Sequence, residues 1–181
     1  MRIIFTVFSL MTLVGHSFGQ TIYTSDTSMV SFFSATPIED IEAFNSASTS
    51  LLNVAKSEIV FRVPISGFQF EKPLMQEHFN ENYMDSYQYP KATFKGNLDD
   101  FSMANLNTNN TFDLKGVLAI KGLEKNIQTS VTVKQKDNRM FVSGVFFVSP
   151  EDFDISIPSI VRDKIAKQIQ IKIDYELIEK K

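Results

Sequence analysis

The feature that most constrains the fold is a strict alternation of apolar and polar residues near the end of the chain. In the run Ile169–Leu177 every odd position is apolar and every even position is polar. A period of two is typical of a β-strand with one buried and one solvated face, whereas a helix would spread these residues around its circumference. The sequence therefore predicts a strand here, with one face against a hydrophobic interior.

Similar runs recur along the chain and predict about eight strands in total. The other candidates are Met29–Ser34, Ile41–Asn45, Ile59–Val63, Ala92–Leu98, Leu114–Ile120, Ile127–Val133 and Met140–Val148. Two turn sequences, Lys121-Gly122 and 136–139, separate the last three of these in hairpin fashion. Because sequential strands with tight turns form antiparallel sheets, we predict an all-β domain that closes into an eight-stranded antiparallel barrel. A β-sandwich is the alternative architecture.

One segment between Glu71 and Tyr89 breaks the alternation. Pro73 can occupy a first helical turn, and from Leu74 to Tyr83 apolar residues recur at helical spacing. We predict one short inserted helix at about 73–87. A helix at this place would cover a mouth of the barrel or pack on its side, and it could also act as a gate.

Residues 1–19 predict a secretory signal peptide. Arg2 precedes the apolar run Ile3–Val14, and Ser17 and Gly19 occupy the small positions of a cleavage site. The run is shorter than the roughly 20 residues that a membrane-spanning helix needs. Because the chain has no Cys, neither a lipoprotein anchor nor a disulfide framework can form. We expect residues 20–181 to form a single soluble domain, periplasmic or secreted, with no stable membrane anchor.

The chain has few residues suited to catalysis or to metal binding. With 18 Lys+Arg against 21 Asp+Glu, it lacks the basic excess of a nucleic-acid-binding protein, and we expect no nucleic-acid partner. After removal of the signal peptide His78 is the sole histidine, which is too few for a zinc site. No nucleophile elbow or calcium loop is present. We expect no metal, no catalytic residues and no cofactor, and an enzyme acting through His78 ranks third among the functions.

Two stretches in the middle of the chain resemble the central signature of the YceI-like family. The first runs from Phe68 to Ser86 around His78-Phe79, and the second runs from Tyr89-Pro90 to Gly96 and contains Ala-Thr-Phe. In that family a helical stretch around a His-Leu or His-Phe pair leads to a Tyr-Pro and a strand with Ala-Thr-Phe. Later motifs at 116–122 and 152–155 also fit, so that the resemblance spans about Ser25 to Leu177.

The resemblance implies a periplasmic or secreted lipocalin-like barrel whose interior binds a long hydrophobic lipid, such as a polyisoprenoid or an isoprenoid quinone. Under this interpretation His78 and Tyr83 are predicted to contact a polar head group. The other predicted ligand-binding residues are Phe61, Val63, Phe68, Phe70, Phe79, Phe94 and Phe147. In strands that are apolar on both faces, such as 141–148, the inward parity is not fixed, because a one-residue slip reverses it.

Composition leaves open whether the interior is hollow or filled. The chain has 17 Phe, enough either to fill a small barrel or to line a hollow one. A filled barrel, acting as a structural or protein-interaction module of the cell envelope, is therefore the alternative to a lipid carrier. The sequence does not fix the oligomeric state, and a homodimer is compatible with it.

Overall fold

Ten strands dominate the computed structural model of the protein, which describes residues 21–107 and 110–180. The strands are β1 (Ile22–Ala35), β2 (Asp40–Asn45), β3 (Thr49–Asn53), β4 (Glu58–Pro64), β5 (Gln69–Phe70), β6 (Lys91–Leu98), β7 (Thr111–Ile120), β8 (Leu123–Lys136), β9 (Arg139–Val148) and β10 (Ile169–Glu179). The predicted signal peptide at 1–19 lies outside the described residues.

The sheet closes on itself through the pairing of β1 with β10. Around the ring the strands follow the order β1, β3, β4, β6, β7, β8, β9 and β10, and each pairs with its neighbours in antiparallel fashion. The closing ladder runs from Tyr23–Glu179 to Phe33–Gln170, with one irregularity between Ser25 and Thr27. Closure satisfies the backbone groups that an open sheet would leave at its edges. The predicted all-β, eight-stranded antiparallel barrel is confirmed, and the sandwich alternative is wrong.

Two strands share the place of one strand beside β1. β3 pairs with its first residues, Ile22–Thr24, and β2 pairs with Val30–Ala35, whereas residues 46–48 between them belong to neither strand. β5 extends β2 outside the ring. The predicted strand Ile41–Asn45 is confirmed as β2, but the sequence prediction omits β3, which is the strand that continues the ring from β1 to β4. The β3 sequence, Thr-Ser-Leu-Leu-Asn, has no alternation by which it could be recognised.

Two-residue turns fix the register of β7, β8 and β9. Lys121 and Gly122 have φ angles of 49° and 79°, and Asp137 and Asn138 have φ angles of 50° and 61°. Positive φ at both central residues is typical of the type I′ turn, whose twist matches that of a hairpin. These are the turns that the sequence predicts.

In β10 the alternation of the sequence becomes an alternation between the two sides of the barrel wall. Ile173, Tyr175 and Leu177 point inward and are 5%, 3% and 0% exposed. Lys172 and Asp174 lie on the outer face and form an ion pair at 3.0 Å. An exposed ion pair is worth at most about 1 kcal/mol. Burial of the inward apolar side chains therefore contributes most of the side-chain stabilisation of this strand.

One half of the barrel interior is packed solid. Its members are almost fully buried, and none of them borders the cavity in the other half of the barrel. They are Tyr23, Leu52, Ile59, Leu98, Phe101, Leu106, Phe112, Val133, Met140 and Leu177. Phe101 and Phe112 pack edge to face with 5.3 Å between ring centroids. This half closes one end of the barrel.

The inserted helix is present but shorter than the sequence predicts. Helix α1 spans Pro73–His78, and Phe79–Tyr83 continues it as a π-helical segment, in which the Met84 N–H donates to the Phe79 carbonyl at 2.9 Å. The predicted end at about 87 is wrong because Asp85 has a φ of 45°, a left-handed conformation that ends a helix. Within the described ranges no helix is both long enough and apolar enough to span a membrane.

Replacing Met140 by Ala should lower the free energy of unfolding by about 2–5 kcal/mol, because the lost side chain leaves a void in a packed region. Met140 is 0% exposed, whereas Phe147 on the same strand is 55% exposed. Phe147→Ala is therefore the matched control, with an expected loss below about 1 kcal/mol. Urea unfolding followed by circular dichroism measures both. Equal losses would contradict the assignment of inner and outer faces on β9.

Candidate functional site

The other half of the barrel interior is hollow. Its cavity has a volume of about 490 Å³, within the roughly 300–1,000 Å³ that is typical of small-molecule sites. The exposed residues on the wall are Lys72, Leu74, His78 and Lys164. They belong to α1 with its N-cap and to the 3₁₀ helix Ser159–Lys164. The cavity therefore opens between these two segments, at the end opposite the packed half.

The wall of the cavity is mainly aliphatic. It is formed by inward-pointing strand residues and by the connection from β9 to β10. The aliphatic members include Ile65, Leu114, Leu118, Ile120, Ile127, Val148, Ile155, Ile157, Ile165, Ile169, Ile171 and Ile173. Such a surface favours an apolar ligand, because each Å² of apolar area removed from water stabilises the complex by about 25 cal/mol.

Three aromatic rings form a floor between the hollow half and the packed half. The Phe61 ring centroid lies 6.0 Å from that of Phe94 and 4.8 Å from that of Tyr175. All three residues line the cavity. On β4 and β10 the next inward residues beyond the floor are Ile59 and Leu177, which belong to the packed half. The row of rings is thus the boundary between the two halves.

Gly96 and Gly116 make room for the Phe94 ring. The two glycines are a cross-strand pair of β6 and β7. A Cβ atom would lie 2.6 Å from Phe94 Cζ if it were added at Gly96, and 2.7 Å from it if added at Gly116. These separations are too short for van der Waals contact, and the added atoms would lie closer still to the backbone carbonyl oxygens of Lys115 and Lys95 on the partner strands, so a side chain at either position would displace both the ring and the neighbouring strand. This role is not among the sequence predictions, although glycine inside a strand often marks a close approach.

A second aromatic cluster attaches the helical segment to the barrel. The Phe79 ring packs against Phe32, Phe68 and Phe70, with centroid distances of 5.4, 5.6 and 5.1 Å. Aromatic pairs of this kind each contribute about 0.5–1.5 kcal/mol beyond the burial of their area. All four residues line the cavity. The cluster therefore positions the π-helical segment beside the mouth, and its four rings form part of the cavity wall.

Three buried hydroxyl groups lie beside the floor, and their oxygen atoms have almost no accessible surface. They belong to Ser48, Ser50 and Tyr175, which are 5%, 4% and 3% exposed. Ser50 is the cross-strand partner of Phe61, which stacks on Tyr175. Burial raises the pKa of Tyr175 to about 12. The Ser48 hydroxyl, as a hydrogen-bonding neighbour of Tyr175, offsets part of this rise in pKa.

The acidic and basic side chains on the cavity wall, among the described residues, lie at the mouth. Lys72 Nζ donates to Glu39 Oε1 at 2.8 Å, and Lys164 Nζ lies 3.9 Å from Glu39 Oε2. The hydrogen bond from Lys72 lowers the pKa of Glu39. Glu39 thus connects the turn before β2 with the start of α1 and with the 3₁₀ helix. No cluster of three or more His, Cys, Asp or Glu that could hold a metal ion is found among the residues that the structure describes.

A sequence model of the YceI-like domain matches residues 22–177, from the first residue of β1 into β10. The chain belongs to the YceI-like family. The resemblance seen in the sequence is therefore confirmed. No curated protein matches the chain in sequence.

Solved structures of other proteins share the YceI-like barrel at low sequence identity. BcnA of Burkholderia cenocepacia aligns with a TM-score of 0.71 and 20% identity, over 82% of this chain and 95% of that chain. A polyisoprenoid binding domain from Saccharophagus degradans, implicated in plant cell wall breakdown, aligns with a TM-score of 0.75 and 13% identity, over 87% and 98% of the two chains. The Campylobacter jejuni YceI protein aligns with a TM-score of 0.57 and 14% identity, over 100% and 94%. These likenesses show the fold.

Of the predicted ligand-binding residues, all but Phe147 lie on the cavity wall. Those on the wall are Phe61, Val63, Phe68, Phe70, His78, Phe79, Tyr83 and Phe94. Phe61 and Phe94 belong to the floor, Phe68, Phe70 and Phe79 to the second aromatic cluster, and His78 to the exposed rim. Their contact with a ligand stays a prediction.

The structure corrects the position of Phe147. Its side chain is 55% exposed on the outer surface, and Phe146 lines the cavity instead. The β8–β9 hairpin register gives the reason: Val133 pairs with Val142, and Lys134 pairs with Phe141. Because cross-strand partners share a face, the odd positions of β9 point outward with Lys134. Because the two-residue turn fixes the pairing of β8 with β9, the inward positions of β9 could have been predicted from the clear alternation of β8.

Other wall residues have no clear sequence pattern by which they could be predicted. Phe32 lies beside Phe33 in β1, so that alternation does not say which ring points inward. The connection from β9 to β10 contains two 3₁₀ helices and no strand or α-helix that periodicity could predict. It is held over the open end in part by the Ala166 N–H, which donates to Ser34 Oγ at 2.9 Å.

Stability at high pH should depend on Tyr175. Because burial favours its neutral form, its contribution to the free energy of unfolding is complete below about pH 10 and is lost as the pH rises through about 12. Urea unfolding at pH 10 and at pH 12 should show that the free energy of unfolding falls with pH in the unsubstituted protein. In Tyr175→Phe this fall should be smaller by about 2–3 kcal/mol. Tyr87→Phe, at a residue 98% exposed, is the control and should behave as the unsubstituted protein does. Identical losses in Tyr175→Phe and the control would show that the hydroxyl is solvated.

Proposed function

We propose that this protein binds a long hydrophobic lipid, such as a polyisoprenoid or an isoprenoid quinone, in the hollow half of its barrel. The observation that carries the proposal is the cavity of about 490 Å³, which has a mainly apolar wall and one open end. The acidic and basic side chains of the described wall lie at the mouth; they are Glu39, Lys72 and Lys164. A flexible apolar chain suits this arrangement, because it can enter at the mouth and leave water behind.

The energetics of burial support a ligand that is recognised mainly by its hydrocarbon. Burial stabilises by about 0.8 kcal/mol per CH₂, so that a five-carbon isoprene unit contributes up to about 4 kcal/mol before the cost of ordering the chain. A few buried units would give tight binding without polar contacts. His78 and Tyr83 would then contact whichever part of the lipid lies near α1 and the π-helical segment.

One structural neighbour supports this ligand class. The S. degradans domain that shares the fold is described as polyisoprenoid binding. The likeness by itself shows the fold, and the proposed ligand class for this chain rests on the chemistry of its own cavity. The aliphatic wall with aromatic rings at the floor and near the mouth suits the branched, unsaturated chain of an isoprenoid.

We further propose that the protein acts as an exported carrier rather than as an enzyme. The sequence predicts a signal peptide at 1–19, which would direct the domain to the periplasm or the medium. In that setting the barrel would shield a lipid from water during transfer. The alternative, a structural module, needs a filled interior, and the hollow half of the barrel disfavours it.

Organic extraction of the purified protein, followed by mass spectrometry, tests the proposed ligand class. We expect a prenyl lipid or an isoprenoid quinone in the extract, at up to one molecule per chain. Protein that is purified empty and also fails to take up such lipids from detergent solution would contradict the proposal.

Phe146→Ala and Phe147→Ala form a matched pair for the location of the site. Phe146 lines the cavity and Phe147 is on the outer surface. Phe146→Ala should weaken lipid binding about tenfold, because loss of one aromatic contact costs about 1.5 kcal/mol or more. Phe147→Ala should leave the affinity unchanged. Titration with the extracted lipid, monitored by native mass spectrometry, measures both, and equal weakening would place the lipid outside the cavity.

A further inference from the structure

The three rings of the floor differ in what lies behind them. Behind Phe61 and Tyr175 the next inward residues of the same strands are Ile59 and Leu177, and both of these are 0% exposed. A side chain of the packed half therefore supports each of these two rings from behind. Removing either ring would leave a large aliphatic side chain in the way of a ligand.

Behind Phe94 there is no such support. The next inward residue of β6 is Gly96, which pairs with Gly116 of β7, and the Phe94 ring lies directly over this pair. The next inward pair along the two strands, Leu98 and Leu114, is one step farther from the mouth. At Phe94 the floor is thus a single ring thick, and replacement of this ring would deepen the cavity more than replacement of either of the other two.

The depth of the cavity follows from the length of β10 that lines it. Ile169 begins the strand at the open end, Ile171 and Ile173 continue the wall, and Tyr175 belongs to the floor. At about 3.3 Å per residue this stretch is roughly 20 Å long. Because barrel strands are tilted by about 35–45°, the depth along the barrel axis is about 15 Å.

An extended prenyl chain of three to four isoprene units matches this depth. Three backbone bonds of an extended peptide span about 3.3–3.6 Å, so the four bonds that an isoprene unit adds to the chain span about 4–5 Å. The volume gives a similar result. A CH₂ group is close in size to a water molecule, which occupies about 30 Å³ of the liquid, so the cavity of about 490 Å³ holds roughly 16 carbon atoms.

We infer that Phe94 sets the length of the prenyl chain that the cavity accepts, at three to four isoprene units. The inference rests on the proposed function, because it concerns the same cavity and the same class of ligand. Carbon atoms within this length displace water from the aliphatic wall. A chain that has reached the Phe94 ring cannot go deeper, so any further units stay at the mouth and are not buried. A lipid with three or four units is therefore the best fit.

Four prenyl alcohols test the length limit. Geraniol, farnesol, geranylgeraniol and geranylfarnesol have two, three, four and five isoprene units. Lipid-free protein is equilibrated with an equimolar mixture of the four in detergent micelles and then separated from the micelles. Native mass spectrometry gives the amount of each alcohol that is bound.

We expect farnesol and geranylgeraniol to be the main bound species, each about tenfold or more above the other two alcohols. Geraniol leaves part of the wall hydrated. Geranylfarnesol exchanges the apolar micelle for water at its protruding unit, which is unfavourable. Bound amounts that rise steadily up to geranylfarnesol, without a maximum, would overturn the inference.

Phe94→Ala and Phe112→Ala assign the limit to one residue. Each variant removes a ring from a buried position, but Phe94 borders the cavity and Phe112 lies in the packed half. A phenyl ring and an isoprene unit have about the same number of carbon atoms, so Phe94→Ala should move the preferred length up by one unit and raise the share of geranylfarnesol about tenfold. Phe112→Ala should leave the preference unchanged. An unchanged preference in Phe94→Ala, or the same shift in both variants, would contradict the assignment.

Ala92→Leu tests the limit without removing any side chain from the core. Ala92 is the inward residue of β6 on the mouth side of Phe94, and it pairs with Val63 on the cavity wall. The larger side chain takes up space in the cavity, so the bound ratio of geranylgeraniol to farnesol should fall about fivefold or more. An unchanged ratio would contradict the inference. The melting temperature of each variant without lipid shows whether it folds.

The outcomes separate this inference from the proposed function. If all four alcohols bind without any preference for length, the inference is wrong while the proposed function stands. If none of the four binds, the proposed function fails, and the inference fails with it.

Discussion

The pairing of β1 with β10 is the constraint on which the rest of the structure depends. It joins the first and last strands of the described chain along almost the whole length of β1. Without this ladder the sheet would be open, its inward faces would be solvated, and neither a packed core nor an enclosed cavity could form. The alternation that is so regular in β10 is the sequence requirement for this closure, because the strand must present one apolar face inward.

The closed barrel is divided by the row of rings formed by Phe94, Phe61 and Tyr175. On one side, fully buried side chains such as Leu52 and Met140 supply a core of ordinary density. On the other side, a cavity of about 490 Å³ is left without protein atoms. This division explains how a chain without disulfides keeps an open binding site. The packed half supplies the hydrophobic core that stabilises the barrel, and the other half can therefore remain hollow.

Much of the fold follows from the sequence, because most of the ring strands have a recognisable alternation and the β7–β8–β9 turns have the right residues. The exceptions have physical causes. β3 is too short and irregular to show a period, and the helix ends at the left-handed Asp85 rather than at a residue whose type predicts a stop. In the site, Phe61 and Phe94 are on clean strands and could be placed, whereas Phe147 is on a strand that is apolar on both faces. The clearance that Gly96 and Gly116 give to Phe94 arises from a contact between strands that a single sequence does not encode locally.

The central claim is that a hydrophobic lipid occupies the hollow half of the barrel. Methyl NMR of isoleucine-labelled protein tests it most directly, because Ile120, Ile127, Ile169 and Ile171 line the cavity whereas Ile59 lies in the packed half. Addition of phytol should shift the methyl signals of the four cavity residues in a saturable manner and leave that of Ile59 nearly unchanged. Saturable binding that leaves the four cavity signals in place would contradict the account.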